Sequence, residues 1–192
     1  MSKSATRVQD DSRERQIAEL CELVVSDRRD GPDAYDSVGN PYEIKSATKN
    51  SVTTARDVGL HTIQSWRSKY WIIAIGDNLA SGFIINGLWI CHPDDLDGRF
   101  KEIESELVAS WEKCQQVLDA AHRSGVDVGV LGEVRDRLQR GITKNNPKIP
   151  LRHVISGGLQ LPHSRPQDIS SILSEFTRRR PLAALPGPQI DR

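Results

Sequence analysis

Asp33, Glu43 and Lys45 follow the spacing Asp-x9-Glu-x-Lys within the stretch Asp30-Gly-Pro-Asp-Ala-Tyr-Asp-Ser-Val-Gly-Asn-Pro-Tyr-Glu-Ile-Lys45. Mg²⁺ is a hard cation that takes oxygen ligands and keeps several waters, so one or two carboxylates beside a phosphate suffice to hold it. Asp33 and Glu43 supply the carboxylates, and the backbone carbonyl of Ile44 stands between Glu43 and Lys45 as a third oxygen. A metal held there lowers the pKa of a bound water and neutralises charge building on phosphorus. The Lys45 ammonium beside it can orient or deprotonate the attacking water and stabilise the pentacovalent phosphorane. This set predicts metal-dependent cleavage of a phosphodiester. Glu-x-Lys alone equally marks a solvated strand face, so the pattern gains weight from the upstream Asp33 and the turn between them.

The elements that must position these groups are local. Around Val38-Gly39-Asn40-Pro41 the chain has to turn, because Gly accepts positive φ and Pro cannot continue a central strand. Asp33–Ser37 and Tyr42–Ala47 then read as two antiparallel strands. Alternation puts Glu43 and Lys45 on one face of the second strand, with Tyr42, Ile44 and Ser46 on the other.

The 192 residues are 37% hydrophobic, enough for one domain with a core. No apolar run is long enough to span a bilayer and the N-terminus is not signal-like, so no membrane association and a cytoplasmic location are expected. Cys21, Cys91 and Cys114 are widely spaced and predict buried thiols rather than disulfides or zinc ligands. The 26 basic residues balance 26 acidic ones. Between Arg137 and Arg165, however, there is no acid, while Arg140, Lys144, Lys148 and Arg152 fall in that interval. Such a stretch suits a phosphate-contacting face, and it equally fits a plain basic surface.

Residues 1–11 are polar and read as a disordered N-terminus, with Ser12 capping a helix over 13–25. Thr48–Asp57 reads as a linking stretch and Leu60–Lys69 as a short helix. Tyr70–Ile75 and Gly82–Cys91 read as buried strands with a turn at Asp77-Asn78. A long amphipathic helix is expected from Asp94 to about His122, carrying Phe100, Ile103, Leu107 and Trp111 on one stripe. A second helical piece follows at Leu131–Arg140, a turn-rich loop at Thr143–Pro150, a strand at Leu151–Ile155 and a helix at Gln167–Arg179. The Pro-rich tail 181–192 reads as disordered.

These pieces resemble the PvuII-type restriction endonucleases, small members of the PD-(D/E)xK nuclease superfamily. The likeness rests on Asp33-Ala-Tyr-Asp-x-x-Gly-x-x-Tyr-Glu-Ile-Lys-Ser46, Trp71-Ile-Ile-Ala-Ile75 and Asn145-Asn-Pro-Lys-Ile-Pro150, in that order. The last run has no catalytic reason to exist, which makes it the more specific signal. The resemblance implies an α/β fold, a restriction-endonuclease-like core with a mixed central β-sheet flanked by helices. One nuclease domain over 12–180 is expected, with a helical insertion at about 111–140 that has no family counterpart and that dimerises or wraps DNA.

The implied activity is that of a type II restriction endonuclease. A homodimer would hydrolyse both strands of a short palindromic double-stranded site with Mg²⁺, leaving blunt ends with 5′-phosphates. Mn²⁺ would substitute and Ca²⁺ would support binding only; a DNA methyltransferase in the same host would protect the site. By the family pattern Asp33 and Glu43 are metal ligands, Lys45 is the general base or water-positioning group, and Asp30 adds a metal-water contact. Asn145 and Asn146 match base-reading side chains, and an Asn amide can pair bidentately with adenine N6/N7. An Asx turn before Pro147 accounts for the same residues structurally. Where the family carries base-contacting histidines this chain has Ala55-Arg56-Asp57. Arg56 could read guanine or contact a phosphate, and Asp57 could accept from cytosine N4. Trp66 stands where a tyrosine assists the family's second metal site, and it cannot ligate metal. Two other readings remain at this point: a structure-specific repair or recombination nuclease, and a non-catalytic DNA-binding protein of the same fold.

Overall fold

The computed structural model describes residues 4–28, 31–163 and 165–183. Along the first half run α1 (Ser4–Leu20), β1 (Val24–Val25), β2 (Ala34–Tyr35), β3 (Pro41–Ala47), β4 (Ser51–Thr53), α2 (Leu60–Arg67), β5 (Tyr70–Leu79) and β6 (Gly82–Cys91). The second half contains α3 (Pro93–Arg123), α4 (Val128–Gly141), β7 (Lys148–Pro150), α5 (Leu151–Gly157), β8 (Leu159–Leu161) and α6 (Pro166–Arg179). Six strands form one sheet in the order β1-β2-β3-β5-β6-β8, and β4 and β7 form a separate ribbon. Only β3 and β5 pair in parallel, so the sheet is mixed, as expected, and the fold is α/β.

Alternation along β3 and β5 divides the core between the two faces of the sheet. Tyr42, Ile44, Tyr70, Ile72 and Ala74 pack under α1 and α6, against Ile17, Ala18, Cys21, Ile169, Leu173 and Phe176. Trp71 and Ile73 face the other way, against Ile63 and Trp66 of α2 and Leu96, Phe100, Ile103 and Leu107 of α3. Glu43 and Lys45 belong to this second face, paired in register with Trp71 and Ile73. The functional end of β3 thus continues directly into a packed aromatic core.

Several elements differ from the sequence expectation. Helix α1 begins at Ser4, inside the segment read as disordered, because Ala, Arg and Gln there are good helix formers. It stops at Leu20 rather than Val25. Glu22 adopts φ 56°, and the Glu22 and Leu23 N–H groups return to the Glu19 and Ala18 carbonyls at 3.2 and 2.9 Å, a Schellman closure. The β-branched Val24 and Val25 then extend as β1. Strand β5 runs through Asp77-Asn78 to Leu79, so the expected turn moves to Ala80-Ser81. The polar pair is tolerated because this end of the β5–β6 ribbon is exposed, with the Asn86 amide donating to Asp77 at 2.7 Å.

The expected strand at Leu151–Ile155 is instead helix α5. Pro150 fixes the entry at φ −61°, Leu151, Val154 and Ile155 fall at helical spacing, and the Gly158 N–H closes on Val154 at 2.8 Å. Parts of the linker 48–57 and the loop 143–150 become β4 and β7, paired Ser51 to Pro150 and Thr53 to Lys148. The described part of the C-terminal tail includes Leu182, which packs against the first core. The rest of the tail, from residue 184, lies outside the described residues, as do residues 1–3.

Candidate active site

The hairpin that carries the catalytic candidates is held by one side chain in its turn. Asp36 accepts from the Val38 and Asn40 N–H groups at 3.1 and 2.8 Å, from the Asn40 amide at 2.7 Å and from the Tyr42 hydroxyl at 3.2 Å. Gly39, at φ 90°, supplies the left-handed residue the turn needs. Beyond the turn the Asp33 N–H donates to the Tyr42 carbonyl at 2.9 Å. The Ile44 N–H then donates to Asp33 Oδ2 at 2.7 Å, which fixes that carboxylate across the two strands.

Four oxygens meet the Lys45 ammonium. Asp33 Oδ2 and Glu43 Oε1 lie at 3.0 Å, the Ile44 carbonyl at 2.8 Å, and Glu14 Oε1, from α1, at 3.2 Å. On the far side of Glu43, Oε2 lies 2.9 Å from Lys69 Nζ, which also donates to the Gly31 carbonyl at 3.0 Å. Burial favours neutral Lys45, but Glu43, Asp33 and Glu14 outweigh it and hold the ammonium well above the ordinary lysine range. Burial likewise raises Asp33, with Glu43 adding to the rise and Lys45 opposing it. Glu43 is also buried, yet Lys45 and Lys69 together hold it below the ordinary carboxylate range.

Burial pushes the Glu14 carboxyl up from 4.5 to about 7, against the pull of Lys45. The folded chain therefore binds this proton more tightly than the unfolded chain. The contribution is full below about pH 4.5 and is lost as pH rises through about 7. Glutamine mimics the protonated form. In EDTA, the Tm of Glu14→Gln relative to wild type is expected to climb over that window in scanning calorimetry; a flat difference rejects the assignment.

The cluster opens onto a groove of about 1080 Å³ that also carries Lys49, Arg56, His61 and Lys148. Of the candidate DNA contacts, Arg56 and Lys148 line this groove. The exposed Arg56-Asp57 pair, with Asp57 at φ 52°, is drawn beside Lys144-Asn145-Asn146 by a bridge between Val58 and Lys144. The Val58 and Lys144 N–H groups reach each other's carbonyls at 3.0 and 2.8 Å, and Thr54 Oγ1 donates to the Pro147 carbonyl at 2.5 Å. Asn145 is exposed, and Asn146 sits at φ 48°, a conformation asparagine tolerates well. The Lys144 ammonium is engaged by Glu106 of α3. Arg152 is exposed on α5 and is not among the residues that line the groove. Asp30 lies outside the described residues. Trp66 is buried against Trp71 and Phe100, a core residue at the groove's edge.

Glu14 and Lys69 escaped the sequence reading. Glu14 precedes Ile17 and Ala18 by one helical turn, so an acid on the buried stripe of α1 was the available signal. Lys69 precedes Trp71 by two residues, which puts it on the Glu43 face of the sheet.

Residues 7–117 match the model of a family described as Restriction endonuclease PvuII. No curated protein matches the chain.

Proposed function

The chain belongs to the PvuII restriction endonuclease family and is a type II site-specific deoxyribonuclease; from that premise we propose that Asp33, Glu43, Ile44 and Lys45 form its Mg²⁺-dependent cleavage site. The family implies double-stranded DNA as substrate and a divalent metal as cofactor. The observation that carries the proposal is the set of oxygens around the Lys45 ammonium. Asp33 Oδ2, Glu43 Oε1 and the Ile44 carbonyl already hold one cation at 2.8–3.0 Å. Among the described residues no group of three or more His, Cys, Asp or Glu could hold a metal. Two carboxylates and a carbonyl suit a hard ion that keeps its waters. Asp30, three residues before Asp33, would add a contact to such a water.

When bound, Mg²⁺ would acidify a water and neutralise charge on the scissile phosphate. The Ile44 N–H sets the Asp33 carboxylate before any ligand arrives. Glu43 offers Oε1 to the site, since Lys69 occupies Oε2. Lys45 holds its proton while all three carboxylates surround it. Once Asp33 and Glu43 engage another cation, Lys45 keeps Glu14 as its acid partner and can orient the attacking water or exchange a proton with it. The water oxygen joins phosphorus and sheds a proton as the P–O3′ bond breaks, and O3′ takes up a proton from solvent, leaving a 5′-phosphate and a 3′-hydroxyl.

One such site per chain must meet each strand, which favours a homodimer on a palindrome. The exposed Val117, Val128 and Val130 on the α3–α4 arm support pairing there, and DNA wrapping is its alternative role. Blunt ends, Mn²⁺ as a substitute, Ca²⁺ as a binding-only ion, a protecting methyltransferase and a cytoplasmic location complete the reading. Digestion of unmethylated phage DNA in Mg²⁺ and in EDTA, followed by sequencing of the ends, tests it. Discrete bands in Mg²⁺ alone with one palindrome at every end are expected; structure-dependent nicking would instead indicate a repair nuclease.

Base reading is proposed for Arg56, Asp57, Asn145 and Asn146, with phosphate contacts from Lys144, Lys148 and Arg152. Arg56→Ala and Asn145→Ala should each cost about 1–3 kcal/mol of discrimination between cognate and single-substituted sites. Lys148→Ala should weaken all sequences alike and flatten the salt dependence. Competition cleavage across a substituted-site panel checks both, and an unchanged preference in Arg56→Ala and Asn145→Ala removes them from recognition.

A further inference from the structure

Glu43 divides its two oxygens between two ammonium groups. Oε1 faces Lys45 and the groove, where the cation is partly accessible. Oε2 faces Lys69, whose side chain is 7% exposed and whose Nζ is pinned a second time by the Gly31 carbonyl. The backbone fixes Lys69 as well: its N–H donates to the Trp66 carbonyl at the end of α2, and Tyr70 begins β5 immediately after it. A cation held on both sides by buried oxygens, on a residue locked between a helix end and a strand start, does not leave when ions are exchanged.

A carboxylate in a two-metal site can serve one ion with each oxygen. Here the second oxygen is already taken by an internal charge. We propose that Lys69 is a built-in cation that replaces a second metal, so that this nuclease works with one divalent ion per active site. Lys69 is a positioning residue: it acts on the reaction through Glu43, holding the plane of that carboxylate so that Oε1 is presented to the groove. A second divalent ion on Oε2 would stand against a buried ammonium with no water between them, and like charges at that separation repel strongly. The assignment rests on Asp33 and Glu43 being the metal ligands, as proposed above.

The test is a count. The full chain is titrated with Mn²⁺ and the free ion is followed by electron paramagnetic resonance. Wild type should bind one Mn²⁺ per chain. Lys69→Met, which keeps most of the length of the side chain and removes its charge, should bind two, because Glu43 Oε2 and the Gly31 carbonyl are released together. Lys69→Arg retains the charge and should return the count to one. A purely structural lysine would lower stability without changing the count. Two ions on wild type, or one on a folded Lys69→Met chain, overturns the proposal. If Lys69→Met does not fold, the wild-type count decides alone. A count of zero removes Asp33 and Glu43 as ligands, and with them both this assignment and the metal site on which it rests.

Discussion

Replacing Lys45 by methionine is expected to slow single-turnover cleavage by about 10²–10⁴-fold, while duplex binding in Ca²⁺ persists. The rate loss follows from removing the ammonium that meets Asp33 Oδ2 and Glu43 Oε1 together at the groove. The same substitution has a second consequence that separates it from a simple catalytic knockout. Lys45 pairs with Glu14, Asp33 and Glu43 at once, with contacts of 3.0–3.2 Å. Without it these acids face one another, with Lys69 still offsetting Glu43. Breaking a buried ion pair from one side costs about 3–5 kcal/mol, so Lys45→Met in EDTA should unfold at markedly lower urea than wild type. Divalent cations should restore much of that loss, because they can occupy the oxygens that Lys45 vacates. Added Ca²⁺ should therefore raise the urea midpoint more in the variant than in wild type. If cleavage proceeds at the wild-type rate in Lys45→Met, the assignment of the site fails and a non-catalytic role for this cluster is left.

What the sequence made legible follows from how local each feature is. The β2–β3 hairpin could be read because Gly39, Asn40 and Pro41 dictate a turn and β3 alternates cleanly on either side of Ile44. Helices α3 and α6 could be read because Phe100, Ile103 and Leu107, and Ile169, Leu173 and Phe176, recur at helical spacing. The β4–β7 ribbon could not. Each of its strands buries one apolar residue, Val52 or Ile149, between polar or half-exposed neighbours, and neither strand has a pattern until the other is beside it. Helix α5 was misread because Leu151 to Ile155 is short enough for its apolar residues to fit either period. The same division runs through the site. Asp33, Glu43 and Lys45 share one hairpin and announced themselves by spacing. Glu14 and Lys69 reach the cluster from 31 residues before Lys45 and 26 residues after Glu43, and only the tertiary fold joins them.

Because the site continues into the aromatic core, a substitution away from the carboxylates should also disable it. Trp71→Ala is expected to destabilise the chain by about 3–5 kcal/mol, a large share of the roughly 5–15 kcal/mol that holds a typical domain together. Trp71 is fully buried, donates its indole N–H to the Trp66 carbonyl at 3.2 Å, and stacks edge-on with Trp66 at 5.5 Å and beside Phe100 at 5.7 Å. It is also the register partner of Glu43, so the cavity left by alanine opens directly beneath the catalytic strand. Trp71→Phe should cost far less. It retains most of the ring contacts, and the Trp66 carbonyl keeps the Lys69 N–H as a donor at 3.4 Å. Urea unfolding should show a lowered midpoint at unchanged slope for Trp71→Ala. Cleavage measured well below the transition should fall as well, because Glu43 and Lys69 are both positioned by the strand that Trp71 anchors. A Trp71→Ala chain with a wild-type midpoint would show that the second core collapses around the missing ring, and that the site draws its rigidity from the hairpin and Asp36 instead.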